Sequence, residues 1–176
     1  MIDGYATLFA EAATQGTSDL VIVPVGVGSF AAAAARFGST AWIPVVGVEP
    51  ATAACLTASL AAGRPTVVPT PGTSMAGMDC AEVSAAAWPV LRDGIAGTVT
   101  VRDAETHAAM RELHAAGLTI GDCGAAPLAA LRALLADDDA APLRERVGLG
   151  SGSRVLLVAT EGATDPVAYE QTVRPR

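Results

Sequence analysis

The sequence predicts an α/β fold, with one doubly wound, mainly parallel sheet and helices on both of its faces. Continuous apolar, β-branched segments recur along the chain, and such segments are typical of strands that are buried on both faces. They alternate with segments of helical periodicity, which is the order that a parallel sheet requires. The length of 176 residues suits a single α/β domain over residues 1–176.

The composition excludes several other classes of protein. With 51% hydrophobic and only 16% charged residues, the chain is not expected to be disordered. No apolar segment approaches the roughly 18–20 residues that cross a bilayer, so we expect no membrane association. A net charge of −7 argues against a general affinity for nucleic acid.

The first helix is predicted from an apolar stripe at helical spacing that begins at Tyr5. Asp3 is expected to cap this helix and Gly16 to end it. The next segment, Leu20–Val25, is a continuous apolar strand. We expect it to end at Pro24, because proline removes one donor from the ladder.

The following elements repeat this alternation. An alanine-rich helix is predicted over Ser29–Phe37, and Ile43–Val48 is a second buried strand. Pro50 suits the first turn of a third helix, which we expect Gly63 to end. Thr66–Val68 is a short predicted strand.

The second half of the chain starts with a long irregular stretch, Thr70–Ser84, whose prolines and glycines are typical of a functional loop. The alternation of helices and strands then continues. The predicted helices are Ala85–Ile95, Glu105–Ala116 with Met110 and Leu113 inward, and Gly124–Ala136 with Leu128, Leu131 and Leu135 on one face. The predicted strands are Thr98–Val101, Leu118–Ile120 and Arg154–Ala159. Asp137–Asp139 is predicted to be an exposed turn.

A glycine-containing turn between the first strand and the second helix is the main candidate binding element. The segment Gly26–Ala31 exposes backbone N–H groups at the positive end of a helix, which suits a phosphate. Ser29 adds a hydroxyl donor. The pattern also fits a dinucleotide fingerprint, with Glu49 as the acid that binds the ribose. The turn therefore leaves two ligands open, a dinucleotide such as NAD or a single phosphate group.

Three other groups of residues limit the chemistry. All eleven Lys and Arg residues are arginines, so this chain offers no lysine nucleophile. His107 and His114 stand seven residues apart, too far for one metal ion; we expect them to be solvated and predict no metal site. Cys55, Cys80 and Cys123 form no C-x-x-C pattern, which favours reduced thiols in a cytoplasmic protein.

Six short segments carry a resemblance to a known family. They are Gly4–Phe9 (GYATLF), Pro24–Ser29 (PVGVGS), Val46–Pro50 (VGVEP), Met75–Cys80 (MAGMDC), Ala87–Arg92 (AWPVLR) and Ala159–Asp165 (ATEGATD). In these segments the chain resembles the C-terminal part of the diaminopropionate ammonia-lyases. Those are pyridoxal 5′-phosphate (PLP) enzymes of fold type II, the group that includes the β chain of tryptophan synthase. The glycine loop and V-G-V-E-P occur across fold type II, whereas the last three segments point to this family.

The resemblance implies roles for ten residues. The expected phosphate-binding residues are Gly26, Val27, Gly28 and Ser29, through their backbone N–H groups. The other residues expected at the cofactor are Thr160, whose hydroxyl would face the pyridine nitrogen, Gly121 and Asp122. The residues expected to face the substrate are Met75, Ala76 and Gly77. One departure is the sequence Gly-Asp-Cys-Gly at 121–124, where the family tends to show Gly-Glu-Ser-Gly.

The reaction implied by the resemblance is the α,β-elimination of 2,3-diaminopropionate to pyruvate and ammonia. The Schiff-base lysine and the acid–base carboxylates of the family lie in a half that has no counterpart here, so no catalytic residue is assigned and the isolated chain is expected to be inactive. Three explanations stay open, namely a split enzyme whose partner is a separate lysine-bearing N-terminal half, a truncated gene product, and a domain reused for binding; a homodimer also stays open. The alternatives are a NAD-binding module of the Rossmann type and a non-catalytic interaction domain.

Two further expectations concern neighbouring side chains. Relatives carry cysteines at both places, so Cys55 and Cys80 are expected to lie near each other. The active site of the family lies in a cleft between two domains, so an apolar face is expected where the second half would dock. The side chains expected to be exposed on that face are Val27, Phe30, Met75 and Met78.

Overall fold

The centre of the molecule is a four-stranded parallel sheet. The computed structural model describes residues 2–174. Its strands are β1 (Leu20–Pro24), β2 (Val45–Pro50), β3 (Gly97–Val101) and β4 (Val155–Leu157), in the spatial order β3, β2, β1, β4. Its helices are α1 (Ala6–Gln15), α2 (Ser29–Ala41), α3 (Cys55–Ala62), α4 (Trp88–Gly94), α5 (Asp103–Ala115), α6 (Asp122–Ala136), α7 (Ala141–Arg146) and α8 (Pro166–Val173). The predicted α/β fold with a parallel sheet is confirmed.

Helices cover both faces of the sheet. Leu20 and Ile22 of β1 pack in a core with side chains of α5, α6 and α8, whereas Val21 and Val23 pack with α1, α2 and α4. Successive side chains of a strand point to opposite faces, so each face of β1 contributes to a separate core. All four side chains are buried, which explains why the strand reads as a continuous apolar segment.

Two predicted strands are wrong. In the described part of the chain, Thr66–Val68 has no ladder, and the N–H of Val68 donates to the carbonyl of Ala81 in the long loop. Leu118–Ile120 is also irregular, because the N–H of Leu118 donates to the carbonyl of Leu113 and so ends α5. Gly117 supports this helix end with φ at +83°. Only Val68 and Ile120 pack against a core, whereas Val67 and Leu118 are exposed, so neither apolar segment is a paired strand.

Several helix ends differ from the predictions. Asp3 does not cap α1, since its carboxylate pairs with Arg36 at 2.7 Å. Pro50 ends β2 instead of starting a helix, and α3 begins five residues later. Gly63 does end α3, with φ at +68°. Helix α2 continues to Ala41 and is closed by Trp42, which adopts φ +58° and is 93% exposed.

The predicted face of α6 also needs correction. Leu135 is exposed, whereas Leu134 is buried. The residues that α6 buries against the sheet are mostly small, and they are Ala125, Ala126, Ala129, Ala130 and Leu134. Small side chains let α6 lie close to the strands, so the leucine spacing alone did not identify the buried face.

Parallel strands bring their carboxyl ends to one edge of the sheet. At this edge the chain leaves β1 for the turn at residues 25–28, leaves β3 for α5, and leaves β4 for residues 158–162. Open α/β sheets bind their ligands at this edge. Among residues 2–174, no helix is long and apolar enough to cross a membrane.

Candidate functional site

The turn after β1 requires glycine at two positions. Gly28 has φ +92°, and a side chain there would place its Cβ 2.6 Å from Leu91 Cδ1. A Cβ on Gly26 would lie 2.6 Å from the carbonyl oxygen of Gly77 and 3.2 Å from Cys80 Sγ. The absence of both side chains lets the long loop pack directly against the turn.

The N-terminus of α2 presents free donors. In the structure as described, the backbone N–H groups of Gly28, Ser29 and Phe30 have no acceptor within the chain, and neither has the Ser29 hydroxyl. The first four N–H groups of any helix lack intrahelical partners, and they create a positive end of the helix dipole. This terminus can therefore accept an anion.

A cavity of about 390 Å³ opens beside this turn. We call it the glycine-loop cavity; its lining residues are Tyr5, Leu8, Pro24, Gly26, Phe30, Gly77, Met78, Cys123, Ala159, Thr160 and Glu161. It brings together residues from three of the predicted segments, because Gly26, Gly77 and Thr160 all border it. Thr160 lies just after β4 and is exposed, so its hydroxyl is accessible from the cavity.

A second cavity of about 670 Å³ adjoins the first. We call it the α5–α6 cavity; it shares Gly77, Cys123 and Glu161 with the glycine-loop cavity. Its further polar lining comprises Ser74, His107, Arg111, Asp122, Thr164, Asp165, Tyr169, Gln171 and Thr172. The two cavities together provide adjacent spaces for a cofactor and a small polar molecule.

Glu161 forms the boundary between the cavities. Its Oε1 accepts a hydrogen bond of 2.9 Å from the N–H of Cys123, and its carbonyl accepts one of 3.3 Å from the N–H of Gly121. A side chain on Gly121 would collide with the carbonyl oxygen of Gly162. The turn before α6 is thus fixed tightly against the segment that follows β4.

The predicted site residues divide between these places. Gly26 and Thr160 border the glycine-loop cavity, Gly121, Asp122 and Ala76 border the α5–α6 cavity, and Gly77 borders both. Val27, Gly28 and Ser29 line neither cavity; Val27 is 47% exposed, Gly28 is buried and Ser29 is half-buried.

The expected position of Met75 needs correction. Its side chain is fully buried in the core, and Thr106 Oγ1 donates to its Sδ over 3.4 Å. Met78 is buried as well. Phe30 is half-buried, with its ring 5.2 Å from that of Tyr5 and 5.4 Å from that of Phe9. Of the four residues predicted to form an exposed apolar face, only Val27 is exposed, at 47%.

Glu49 does not border either cavity, and its carboxylate is already occupied. Oε1 accepts from the N–H of Leu56 at 2.6 Å, and Oε2 accepts from the N–H and hydroxyl of Thr57 at 2.8 and 2.7 Å. The side chain is fully buried, and this burial raises its pKa despite the opposing effect of these hydrogen bonds. Glu49 is buried with both oxygens bonded inside the chain and is not available to a ribose, so the dinucleotide interpretation loses the acid on which it depended.

The three cysteines are free thiols. The sulfur atoms of Cys55 and Cys80 both lie near Gly26. The Cys55 Sγ is 3.8 Å from the carbonyl oxygen of Gly26. Burial, reinforced by Glu49, raises the pKa of Cys55 to about 12, and burial with Glu161 does the same for Cys123. In the described residues, no group of three or more His, Cys, Asp and Glu could hold a metal ion.

Sequence reasoning missed the role of His107, which is not fully solvated. Its Nε2 lies 3.2 Å from Asp122 Oδ1 and 3.1 Å from Ser74 Oγ. The sequence contains one signal for this contact. Asp103, Thr106 and His107 stand at positions i, i+3 and i+4 of one helix face, and all three are polar.

A family model for pyridoxal-phosphate dependent enzymes matches residues 1–161. The chain belongs to this family. Both cavities therefore lie in a pyridoxal-phosphate dependent enzyme fold, and most of the residues that border them fall within the matched range.

Individual members of the pyridoxal-phosphate family are similar over almost the whole chain. The diaminopropionate ammonia-lyase of Salmonella typhimurium is 32% identical over 192 residues, which cover 98% of this chain and 48% of that protein. A crystal structure of the Escherichia coli diaminopropionate ammonia lyase, in complex with an aminoacrylate-PLP azomethine reaction intermediate, is also similar to this chain. The TM-score is 0.86 and the sequence identity is 28%, and the match covers 98% of this chain and 48% of the other. The crystal structure of the same Escherichia coli enzyme in complex with D-serine has a TM-score of 0.85 and 27% identity, covering 98% and 47%.

These similarities confirm the family resemblance and the fold of the type II PLP enzymes. The chain spans about half the length of the curated relatives it matches.

Proposed function

We propose that this chain is the PLP-phosphate-binding part of a diaminopropionate ammonia-lyase-like enzyme. The observation that carries the proposal is the glycine-loop cavity, where Gly26, Gly77 and Thr160 meet beside the N-terminus of α2. Similarity to diaminopropionate ammonia-lyases over 98% of the chain supports it.

The glycine turn fits the phosphate of PLP. The free N–H groups of Gly28, Ser29 and Phe30 are the donors proposed to hold it, and the 13-residue α2 adds its positive end. Because Gly26 and Gly28 have no side chains, Gly77 and Leu91 pack closely against the turn and fix the direction of its N–H groups. The loop therefore binds and orients the phosphate without a charged side chain.

Thr160 is proposed to orient the other end of the cofactor. Its hydroxyl can donate to or accept from a ring nitrogen, but it does not hold a proton there as a carboxylate does. Bound PLP supplies an electron sink for eliminations next to the amino-acid α carbon. A hydroxyl partner suits elimination, for which a moderate electron sink is sufficient.

The α5–α6 cavity is proposed to take the amino-acid substrate. It adjoins the glycine-loop cavity at Gly77, and its wall carries the carboxylates of Asp122, Glu161 and Asp165. Carboxylates favour a substrate with a second ammonium group over one with a hydroxyl. We therefore propose 2,3-diaminopropionate, with pyruvate and ammonia as the products.

A partner is part of this proposal. The sequence contains no lysine to carry the cofactor covalently, and the relatives are about twice as long as this chain. We propose that a lysine-bearing half completes the site at the open side of the glycine-loop cavity.

Cofactor binding is tested by titrating the chain with PLP and with NAD, using visible absorbance for PLP and calorimetry for NAD. We expect weak binding of PLP, because one loop supplies only part of a pocket, and no binding of NAD. Substituting Thr160→Val should perturb the spectrum of bound PLP, whereas Thr14→Val, on the exposed surface of α1, should not. Binding of NAD without PLP would contradict the proposal.

Catalysis is tested by measuring pyruvate release from 2,3-diaminopropionate and PLP. The isolated chain should not exceed the rate with free PLP, since no lysine is available. Addition of a lysine-bearing N-terminal half from a similar diaminopropionate ammonia-lyase should raise the rate. Activity of the isolated chain well above free PLP would contradict the proposed need for a partner.

A further inference from the structure

One face of α5 contacts three consecutive residues of the long loop. Thr73 Oγ1 donates to Asp103 Oδ1, and the N–H of Ser74 donates to Asp103 Oδ2 over 3.0 Å. One turn later, Thr106 Oγ1 donates to the sulfur of Met75 over 3.4 Å, and this contact is buried. The loop is thus anchored to α5 directly before the segment Ala76–Met78.

His107 extends this anchor to a second helix. Its Nε2 lies 3.1 Å from Ser74 Oγ and 3.2 Å from Asp122 Oδ1, in the first turn of α6. The side chains of His107 and Asp122 are 31% and 27% exposed, so water screens the pair only partly. One imidazole therefore connects the loop with the turn that precedes α6.

The anchored segment occupies a position at which both cavities meet. Ala76 lines the α5–α6 cavity, Gly77 lines both cavities, and Met78 lines the glycine-loop cavity. The backbone hydrogen bonds of this segment are short-range, because the N–H groups of Ala76, Met78, Asp79 and Cys80 donate to the carbonyls of Ser74, Met75, Ala76 and Met78. The buried side chain of Met78 holds the C-terminal end of the segment, and the contacts with α5 hold its N-terminal end.

We propose that Asp103 and His107 are positioning residues that hold Ala76–Met78 as the wall between the cofactor and substrate cavities. The use of these cavities rests on the proposed function, whereas the anchoring of the loop does not. Loss of either side chain removes part of the contact between this glycine-containing segment and α5, so the segment opens more often. A ligand that spans both cavities contacts the segment from both sides and senses this opening more strongly than a ligand in the glycine-loop cavity alone, which meets only Gly77 and Met78.

The first measurement is amide hydrogen exchange on the purified chain. In Asp103→Ala and His107→Ala, exchange of the Met78 and Cys80 amides should rise about tenfold, as expected for the loss of one or two hydrogen bonds. Neither amide contacts α5, so faster exchange reports opening of the whole segment. Glu112→Ala and His114→Ala are matched controls from the C-terminal half of the same helix and should leave these amides unchanged.

The second measurement compares two probes on the same variants. Pyridoxamine 5′-phosphate fits the glycine-loop cavity alone, whereas N-(5′-phosphopyridoxyl)-2,3-diaminopropionate extends into the α5–α6 cavity. We expect the dissociation constant of the second probe to rise about tenfold in Asp103→Ala and His107→Ala, and that of the first probe to rise by a smaller factor. His107→Gln keeps a donor near Asp122 and should restore part of the affinity.

The outcomes separate the two proposals. If the original chain binds neither probe, the proposed function fails, and the exchange rates alone decide whether the loop is anchored as stated. If exchange at Met78 and Cys80 is the same in all variants, the positioning role is overturned. It is also overturned if both probes lose affinity equally, because the substitutions would then act on the whole fold.

Discussion

At the scale of single residues, Glu49 is an internal helix cap. Its two carboxylate oxygens satisfy three donors of Leu56 and Thr57 at the start of α3. Such bonds compensate for burying a carboxylate next to the sheet. The side chain therefore stabilises the connection between β2 and α3.

We expect Glu49→Gln to lower the free energy of unfolding by about 1–3 kcal/mol, because the amide NH2 cannot accept from the Leu56 or Thr57 N–H group. Urea unfolding measures the change. Glu82→Gln, at an exposed position, is the matched control and should stay within about 0.5 kcal/mol of the original chain. Equal stability of the two variants would contradict the capping role.

The buried thiols give the chain a pH dependence. Cys55 and Cys123 have pKa values of about 12 in the folded chain, against an ordinary thiol pKa of 9.0. Between pH 9 and pH 12 the folded state keeps thiol protons that the unfolded state loses. The contribution of the two thiols to the free energy of unfolding is therefore fully present below pH 9 and is lost as the pH rises towards 12. We expect the free energy of unfolding to fall over this window, and to fall less in the double variant Cys55→Ala, Cys123→Ala.

A thiol-reactive reagent at pH 8 should modify Cys80 first; faster modification of Cys55 would contradict its burial.

At the scale of elements, the turn between β1 and α2 depends on the absence of side chains. Gly28→Ala would combine an unfavourable positive φ with a contact of 2.6 Å to Leu91 Cδ1. We expect it to cost about 2 kcal/mol of stability and to weaken PLP binding. Gly150→Ala, with open space around its Cβ, is the control for the glycine-to-alanine change. Unchanged stability of Gly28→Ala would show that the turn can relax.

Some helices and strands could be predicted from the sequence alone, and others could not. Leu20–Pro24 was predictable because a strand buried on both faces leaves an unbroken apolar segment, and the glycine turn followed from its place between strand and helix. Thr66–Val68 was not predictable, because an apolar segment that packs without pairing has the same composition as a short strand.

Which residues border the candidate site could be predicted only where the path of the backbone determines it. Gly26, Gly77 and Thr160 follow strand ends or lie in the long loop, and they do meet at one cavity. The burial of Met75 and the contacts of His107 depend on how α5 packs against the loop, which is a tertiary property. No local pattern determines it.

At the scale of the whole molecule, one open side of the glycine-loop cavity remains apolar. Tyr5 and Leu8 line the cavity and are 38% and 37% exposed, and Val27 in the adjoining turn is 47% exposed. Apolar side chains grouped at a cavity mark an interaction surface. This surface is the place where the proposed lysine-bearing half would bind.

We expect the isolated chain to self-associate through this surface, as measured by light scattering over a range of concentrations. The double variant Leu8→Ser, Val27→Ser should reduce the association. Leu135→Ser, an equally apolar and exposed position at the C-terminal end of α6, should not. A monomer at every concentration would contradict the exposed docking surface.

The two tryptophans differ so strongly in exposure that the chain contains its own optical probes. Trp42 projects into water at the end of α2, whereas Trp88 is 8% exposed in the core that also contains Leu91, the residue packed against Gly28. Iodide should quench the fluorescence of Trp42 and spare that of Trp88. In a Trp42→Phe variant, the remaining blue-shifted emission comes from beneath the glycine turn. Changes in that turn can then be followed without attaching any label.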